Sequence, residues 1–254
     1  MPFTFAHPLY ALPARLAIRR LSLSGLVLGS MAPDFEYFLA LEPYATIGHT
    51  WRGFLLQALP LGVALALMFH YLAKRQLPRH LPSLGSLDRR AAALAAASTN
   101  YNGLRDRIRA GLNFLLALLI GFVSHIVVDG FTHRGGYAVV RVSWLQRELG
   151  GYPVYKLLQH GLSLLGLAVL TVLMLRALAA VRLTSSSPRS LPVSRKLVYW
   201  AIVAVIALAT VILKLTLSDS ANLLGMTVVS TLSGGMLGIV AASVWSAWFM
   251  RRHG

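Results

Sequence analysis

The stretch SHIVVDGFTH, residues 124–133, carries the densest group of potential metal ligands in the sequence. His125 and Asp129 share one face of an α-helix, about 6 Å apart along its axis. A His and a carboxylate at this spacing can bind one metal ion, as paired ligands do in zinc-binding helices. His133 reaches that ion only if the helix bends at Gly130; otherwise it serves a second ion or a substrate. The alternative is a His–Asp hydrogen bond that ties helices together.

A second polar group lies in GSMAPDFEYF, residues 29–38. Pro33 interrupts the apolar run just before Asp34, and Glu36 follows two residues later. In a turn or an extended segment both carboxylates can face inward, where carboxylates and imidazoles together bind metals. Alternatively, Asp34 caps a helix that begins at Phe35, and Glu36 interacts with the dipole of its first turn.

Two further stretches of the sequence contain candidate site residues. GHTWRG places His49 close to Arg52, whose planar guanidinium suits phosphate or carboxylate. The alternative is an interfacial loop, with Trp51 in the aromatic belt and Arg52 extending to water. VYKLLQHG places His160 at the start of an apolar run.

The elements that must position these groups are predicted to span a membrane. The 254-residue chain is 56% hydrophobic and 13% charged, whereas soluble domains are about 25% charged. It contains no cysteine, which excludes disulfides and Cys-ligated metal sites. A span requires about 20 mainly apolar residues, and five segments qualify: Gly53–Ala73, Ala110–Phe131, Leu157–Ala180, Leu197–Leu217 and Leu224–Met250.

The predicted fold is therefore all-α, a polytopic membrane helix bundle in a single domain, residues 1–254. Residues 1–41 form either a sixth span, from Leu21 to Leu41, or a helical hairpin with its turn near Ser22–Ser24. The segment 1–41 bears the Pro-Asp string, and 42–180 contains the core spans with the other metal-site strings. A linker rich in Ser and Pro, 181–196, precedes two C-terminal spans in 197–254.

The net charge of +16 indicates orientation. If the spans alternate in direction, 18 of the 24 Lys and Arg residues lie on one face and 6 on the other. The positive-inside rule places the richer face in the cytoplasm, together with the C-terminus. The His and Asp strings then meet at the outer face. We therefore interpret the basic charge as a sign of membrane topology and expect a lipid bilayer, and no nucleic acid, as partner.

A family resemblance covers most of the first 165 residues and rests on the motifs PFTFAHP, GSMAPDFEYF, GHT, SHIVVDGFTH and PVYKLLQHG. They resemble a bacterial integral-membrane family catalogued as a domain of unknown function, similar to the YdjM-type predicted membrane-bound metal-dependent hydrolases. The resemblance favours the hairpin, and it implies these metal ligands: His7, Asp34, Glu36, His49, His125 and Asp129. The chain departs from the YdjM pattern where Glu36 replaces an Asp and Ala6 replaces a Thr before His7.

The function predicted from these features is metal-dependent hydrolysis at the outer face of the bacterial cytoplasmic membrane. One or two divalent ions, with zinc as the favoured metal, would activate water. Arg52 and Arg134, with His160, would bind an anionic substrate such as a phosphate ester, free or linked to lipid. His133 or Glu36 would transfer protons. The alternatives are a transporter of metal ions or protons, and a structural membrane protein whose polar cluster packs helices.

Overall fold

The computed structural model describes residues 3–96, 103–185 and 187–253. Within these ranges, five helices are long and apolar enough to cross a membrane: Trp51–His80, Leu104–Thr132, Val154–Ala180, Val193–Leu217 and Leu223–Arg252. Each of them contains one of the five predicted segments. The prediction of an all-α, polytopic helix bundle is confirmed.

The helices are numbered here in chain order. The short helices near the N-terminus are α1 (Pro8–Ala11), α2 (Ala14–Ala17), α3 (Leu23–Met31) and α4 (Phe35–Ala40). The long helices are α5 (Trp51–His80), α7 (Leu104–Thr132), α9 (Val154–Ala180), α10 (Val193–Leu217) and α11 (Leu223–His253). Between them lie α6 (Leu87–Ala96) and α8 (Ser143–Gln146). The strands β1 (Glu148–Leu149) and β2 (Tyr152–Pro153) pair as an antiparallel hairpin.

The segment before α5 is a helical hairpin. The chain reverses in the residues before Ser22, whose hydroxyl caps α3 by accepting a hydrogen bond from the Gly25 N–H at 3.2 Å. Beyond α3, Asp34 Oδ2 accepts a hydrogen bond of 2.6 Å from Thr4 Oγ1. Because Ser22 already begins the second arm, the turn lies slightly earlier than the predicted Ser22–Ser24.

The chain divides into two compact units. The first consists of Met1–Phe35, Thr46–Ala66 and Tyr101–Met174, and the second of Glu36–Ala45, Leu67–Asn100 and Leu175–Gly254. In the first unit α3 packs closely against α7. A Cβ added at Gly29 would lie 2.1 Å from the Leu118 carbonyl oxygen, and one at Gly25 would lie 2.6 Å from that of Phe114. Glycine therefore lets these backbones touch, as small residues do between membrane helices.

In the second unit α10 packs along α11, and a buried ion pair joins α10 to α6. Lys196 Nζ lies 2.6 Å from Asp88 Oδ2 and 2.7 Å from Ser83 Oγ. Lys196 can make this contact because α10 begins at Val193, immediately after Pro192. The last four residues of the predicted linker 181–196 are therefore helical.

Candidate metal centre

Helix α7 supplies the first two groups of the cluster. His125 is fully buried, Asp129 nearly so, and His125 Nε2 lies 3.1 Å from Asp129 Oδ2. His125 Nδ1 donates a hydrogen bond of 2.7 Å to the Ser30 carbonyl oxygen on α3. In the neutral imidazole, Nε2 then carries a lone pair that faces a carboxylate. That arrangement is stable when a cation lies between the two atoms or when the ring takes up a second proton.

The hairpin brings His7 onto the same centre. Its ring is fully buried and stacks on that of His125 with a centroid distance of 3.7 Å. His7 Nε2 lies 3.5 Å from Asp129 Oδ1, and among the described residues neither ring nitrogen has a hydrogen-bond partner. Burial, reinforced by the charge of His125, lowers the pKa of His7 to about 3. His7 is therefore neutral near pH 7, with a nitrogen lone pair available to a metal.

Asp34 ends the short 3-10 turn Ala32–Asp34, directly before α4. The residue is fully buried, and burial raises the pKa of its carboxyl group, although nearby His125 and the Thr4 hydrogen bond oppose the shift. Asp34 Oδ1 has no hydrogen-bond partner among the described residues. It lies 3.6 Å from His49 Nε2 and 3.7 Å from His125 Nε2.

His49 reaches the cluster from the loop before α5. Thr50 caps that helix by accepting a hydrogen bond from the Gly53 N–H at 3.0 Å. A Cβ at Gly53 would lie only 2.0 Å from the Ile47 carbonyl oxygen, so this tight turn requires glycine. His49 Nε2 lies 3.3 Å from Asp129 Oδ2. The His49 side chain is 30% exposed, which leaves the cluster partly open to its surroundings.

His133 meets Asp129 because α7 ends just before it. The helix continues through Gly130 to Thr132, and the backbone of His133 is extended (φ −119°, ψ 144°). Its Nδ1 donates to the Asp129 carbonyl oxygen at 3.2 Å and lies 3.5 Å from Asp129 Oδ1. Burial lowers the pKa of His133, against the opposing effect of Asp129. A bend at Gly130 is therefore not needed. His133 comes close to Asp129 because the helix ends at Thr132.

The resulting geometry is centred on the Asp129 carboxylate. Oδ2 faces His49 and His125, whereas Oδ1 faces His7 and His133. Asp34 Oδ1 faces His49 and His125, and the six distances from a ring nitrogen to a carboxylate oxygen are 3.1–3.7 Å. Ligands bound to Zn²⁺ at 2.0–2.1 Å in tetrahedral geometry are about 3.3 Å apart. Within residues 3–96, 103–185 and 187–253, two groups of three have all their ligand atoms within 4.8 Å of one another: His7, His125 and Asp129; and Asp34, His49 and His125. The cluster therefore has the size and the donor atoms of a site for a small divalent cation.

The structure thus brings together most of the ligands expected from the sequence. Glu36 lies in the first turn of α4, in the second unit, and belongs to neither group of three among the described residues. Arg52, Arg134 and His160 are exposed.

Two contributors to the cluster were not predicted. Thr4 holds Asp34, and the carbonyl oxygen of Ser30 holds His125. Thr4 lies within the motif PFTFAHP, so the sequence does contain a signal that could have pointed to it. Ser30 acts through its backbone, so its residue type carries no such signal.

Comparison with known proteins assigns nearly the whole chain to a protein family. No curated protein and no solved structure matches the chain. A family model matches residues 1–244 and so includes the whole cluster, all of the first unit and most of the second. The chain therefore belongs to the family described as a domain of unknown function, DUF4184.

Proposed function

We propose that the chain is a membrane-embedded, metal-dependent hydrolase whose cation is held by five side chains: His7, Asp34, His49, His125 and Asp129. The observation that carries the proposal is a group of buried ligand atoms that find no hydrogen-bond partner in the described part of the chain, namely both ring nitrogens of His7, Asp34 Oδ1 and Asp129 Oδ1. Leaving such an atom unpaired costs about 1–3 kcal/mol. A cation at the centre of the cluster would satisfy these atoms together.

His133 is suited to transfer the proton. Its Nδ1 is engaged by Asp129, so Nε2 is the atom free to act as a base. A divalent cation would supply Lewis acidity and lower the pKa of a bound water to about 7. In hydrolysis of a phosphate ester, the water oxygen bonds to phosphorus and the P–O bond to the alcohol breaks. The proton that the water loses passes to His133 and then to the departing alkoxide.

The proposed substrate is anionic, in the class of phosphate esters, including those linked to lipid. Arg52 and Arg134 are exposed and follow His49 and His133 closely in sequence. A guanidinium binds a phosphate through two parallel hydrogen bonds. His160, near the start of α9, is a further exposed group proposed to contact the substrate.

The proposed location is the outer face of the bacterial cytoplasmic membrane. The five long apolar helices support an integral-membrane protein, and the 18-to-6 division of basic residues supports a cytoplasmic C-terminus. The motif resemblance to the YdjM-type predicted hydrolases supports the same class of reaction and rests on the motifs alone.

The function is tested with protein purified in detergent and loaded with Zn²⁺, assayed for hydrolysis of p-nitrophenyl phosphate and of phosphatidic acid. We expect turnover that requires metal, and His133→Gln should lower the rate about 100-fold or more while keeping the bound metal. His70→Gln, in the second unit, is the matched control. Turnover of neither substrate by the metal-loaded protein, or an unchanged rate in His133→Gln, would contradict the proposal.

A further inference from the structure

The connection between α7 and α9, residues 134–153, is an ordered structure that we call the α7–α9 cap. The N–H groups of Ala138 and Val139 donate to the Gly130 carbonyl oxygen at 3.0 and 3.3 Å, respectively. Gln146 Nε2 donates to the Val139 carbonyl oxygen at 2.8 Å. Ala138, Val139 and Leu145 form a small buried core with Val154. The backbone that carries the side chains of the cap surface is therefore held in place.

That surface carries several large apolar groups. Tyr137, Trp144, Leu149 and Tyr152 are each between 53% and 72% exposed. Leu149 and Tyr152 are paired across β1 and β2, so they lie side by side on the hairpin. Transfer of such apolar surface from water into an apolar environment is favourable, with a free energy of about 25 cal/mol per Å².

The charge of the cap is complementary to anionic lipid. It contains Arg134, Arg141 and Arg147 against a single acid, Glu148. The Arg141 guanidinium carbon lies 3.6 Å from the centroid of the Tyr137 ring. Aromatic rings together with basic side chains are typical of the headgroup layer of a membrane. The cap also follows the end of one apolar helix at Thr132 and leads directly into the next.

An open cavity of about 430 Å³ lies within this region. It is lined by Arg134, Gln146 and Tyr155 and by the apolar side chains of Val139, Val140 and Pro153. Its single cation, Arg134, directly follows His133 in the chain. A cavity lined by one guanidinium, one amide and several apolar side chains offers a charged partner to a phosphate and apolar contacts to the glycerol carbons attached to it.

We propose that the α7–α9 cap lies in the headgroup layer and binds an anionic phospholipid, whose phosphate pairs with Arg134. A substrate would then reach the His and Asp cluster sideways from the bilayer. Only this last step rests on the proposed hydrolase function, because the binding of lipid to the cap requires neither metal nor turnover.

The position of the cap is tested with single cysteines, since the natural chain has none. Leu149→Cys and Glu148→Cys occupy neighbouring positions on β1, whose side chains point to opposite faces. Each is labelled with an environment-sensitive fluorophore and reconstituted in nanodiscs that contain a doxyl-labelled phospholipid. We expect strong quenching at position 149 and weak quenching at position 148. Equal, weak quenching at both positions would overturn the proposal.

The headgroup is tested by native mass spectrometry of protein extracted from membranes of phosphatidylcholine mixed with phosphatidylglycerol. We expect retained phosphatidylglycerol, with about tenfold weaker retention in Arg134→Gln, which is the loss of one charge-assisted hydrogen bond. Arg176→Gln, at the other end of α9, is the matched control. Displacement of the lipid by millimolar inorganic phosphate would show a site for soluble phosphate and contradict the proposal. Lipid binding by protein that turns over neither p-nitrophenyl phosphate nor phosphatidic acid would leave the proposal for the cap intact and refute only the proposed function.

Discussion

Asp129 is the residue on which the proposed chemistry depends, because its one carboxylate faces four imidazoles. Protonation could neutralise one such contact, but several adjacent imidazolium ions in a buried cluster would repel one another. Burial also keeps His7 neutral, since its pKa falls to about 3. A bound cation resolves the conflict because it binds the lone pairs of the histidines and the negative charge of Asp129 at once.

Thr4 is predicted to tune the metal site without touching the metal. Its hydroxyl donates to Asp34 Oδ2 and so orients Oδ1 towards His49 and His125. Loss of such an outer hydrogen bond weakens metal affinity by about 10–100-fold. We therefore expect this loss of Zn²⁺ affinity in Thr4→Val, measured by competition with a chromophoric chelator.

The matched control for this change is Thr171→Val, which alters an exposed threonine on α9. It should bind Zn²⁺ with wild-type affinity. Equal affinities in Thr4→Val, Thr171→Val and the wild type would show that Thr4 has no part in holding Asp34.

At the scale of single residues, the sequence predicted those ligands whose positions follow from local spacing or from a break in an apolar run. His125 and Asp129 follow from a four-residue spacing on one helix, and Asp34 from its place after Pro33. The approach of His7 is a contact between distant segments, and only the motif resemblance suggested it. The backbone role of Ser30 depends on the packing of α3 on α7, which no residue pattern encodes.

The contact of α3 with α7 is the element-level support of the cluster, because Ser30 on α3 orients His125 on α7. In Gly29→Ala the new Cβ would meet the Leu118 carbonyl oxygen at 2.1 Å, so the two backbones must move apart. We expect the variant to unfold at lower temperature and to bind Zn²⁺ more weakly. Both are measured on detergent-solubilised protein, by thermal unfolding and by chelator competition.

Gly111→Ala is the control within the same helix pair, because no atom of the described residues outside the helix's own neighbouring backbone lies within 4 Å of the added Cβ. It should raise stability by about 0.5–1 kcal/mol, since alanine favours a helix interior over glycine. A similar response of both variants would argue against close packing of α3 on α7.

The ion pair of Asp88 and Lys196 is the corresponding support in the second unit. Breaking a buried pair by Asp88→Asn leaves an uncompensated charge, and we expect a loss of about 3–5 kcal/mol in the free energy of unfolding. The double variant Asp88→Leu/Lys196→Met should recover most of that stability, because it leaves no buried charge behind. A double variant as unstable as the single one would contradict this account.

The same pair predicts a pH dependence. Burial alone raises the pKa of Asp88, but hydrogen bonds from Lys196 and Ser190 lower it below its ordinary value. A depressed carboxyl pKa stabilises the folded state above the unfolded value and ceases to do so as pH falls below about 4. Unfolding measured down to about pH 3 should therefore show a loss of stability in the wild type that is smaller in the double variant.

The elements themselves were largely predictable, because each long helix contains one of the apolar segments of the sequence. The helix ends were less predictable. The end of α7 at Thr132 turns His133 back to Asp129, and the start of α10 at Val193 brings Lys196 to Asp88. Hydropathy does not locate either end to the residue, because polar residues flank both apolar segments.

At the scale of the whole molecule, the division of charge predicts topology. With 18 basic residues assigned to one face and 6 to the other, the C-terminus is expected in the cytoplasm. A C-terminal fusion to green fluorescent protein should fluoresce in bacterial cells, whereas a fusion to alkaline phosphatase at the same position should be inactive. The reverse pattern would place the metal cluster on the cytoplasmic side.

The central claim is that the His and Asp cluster binds a metal. It is tested most directly by X-ray absorption spectroscopy of protein loaded with Zn²⁺, with zinc content measured on the same sample. We predict stoichiometric zinc with nitrogen and oxygen ligands at 2.0–2.2 Å and the outer-shell scattering of imidazole. This signal should be lost in Asp129→Ala and retained in His160→Ala. Zinc that is absent from the wild type, or unchanged in Asp129→Ala, would contradict the account.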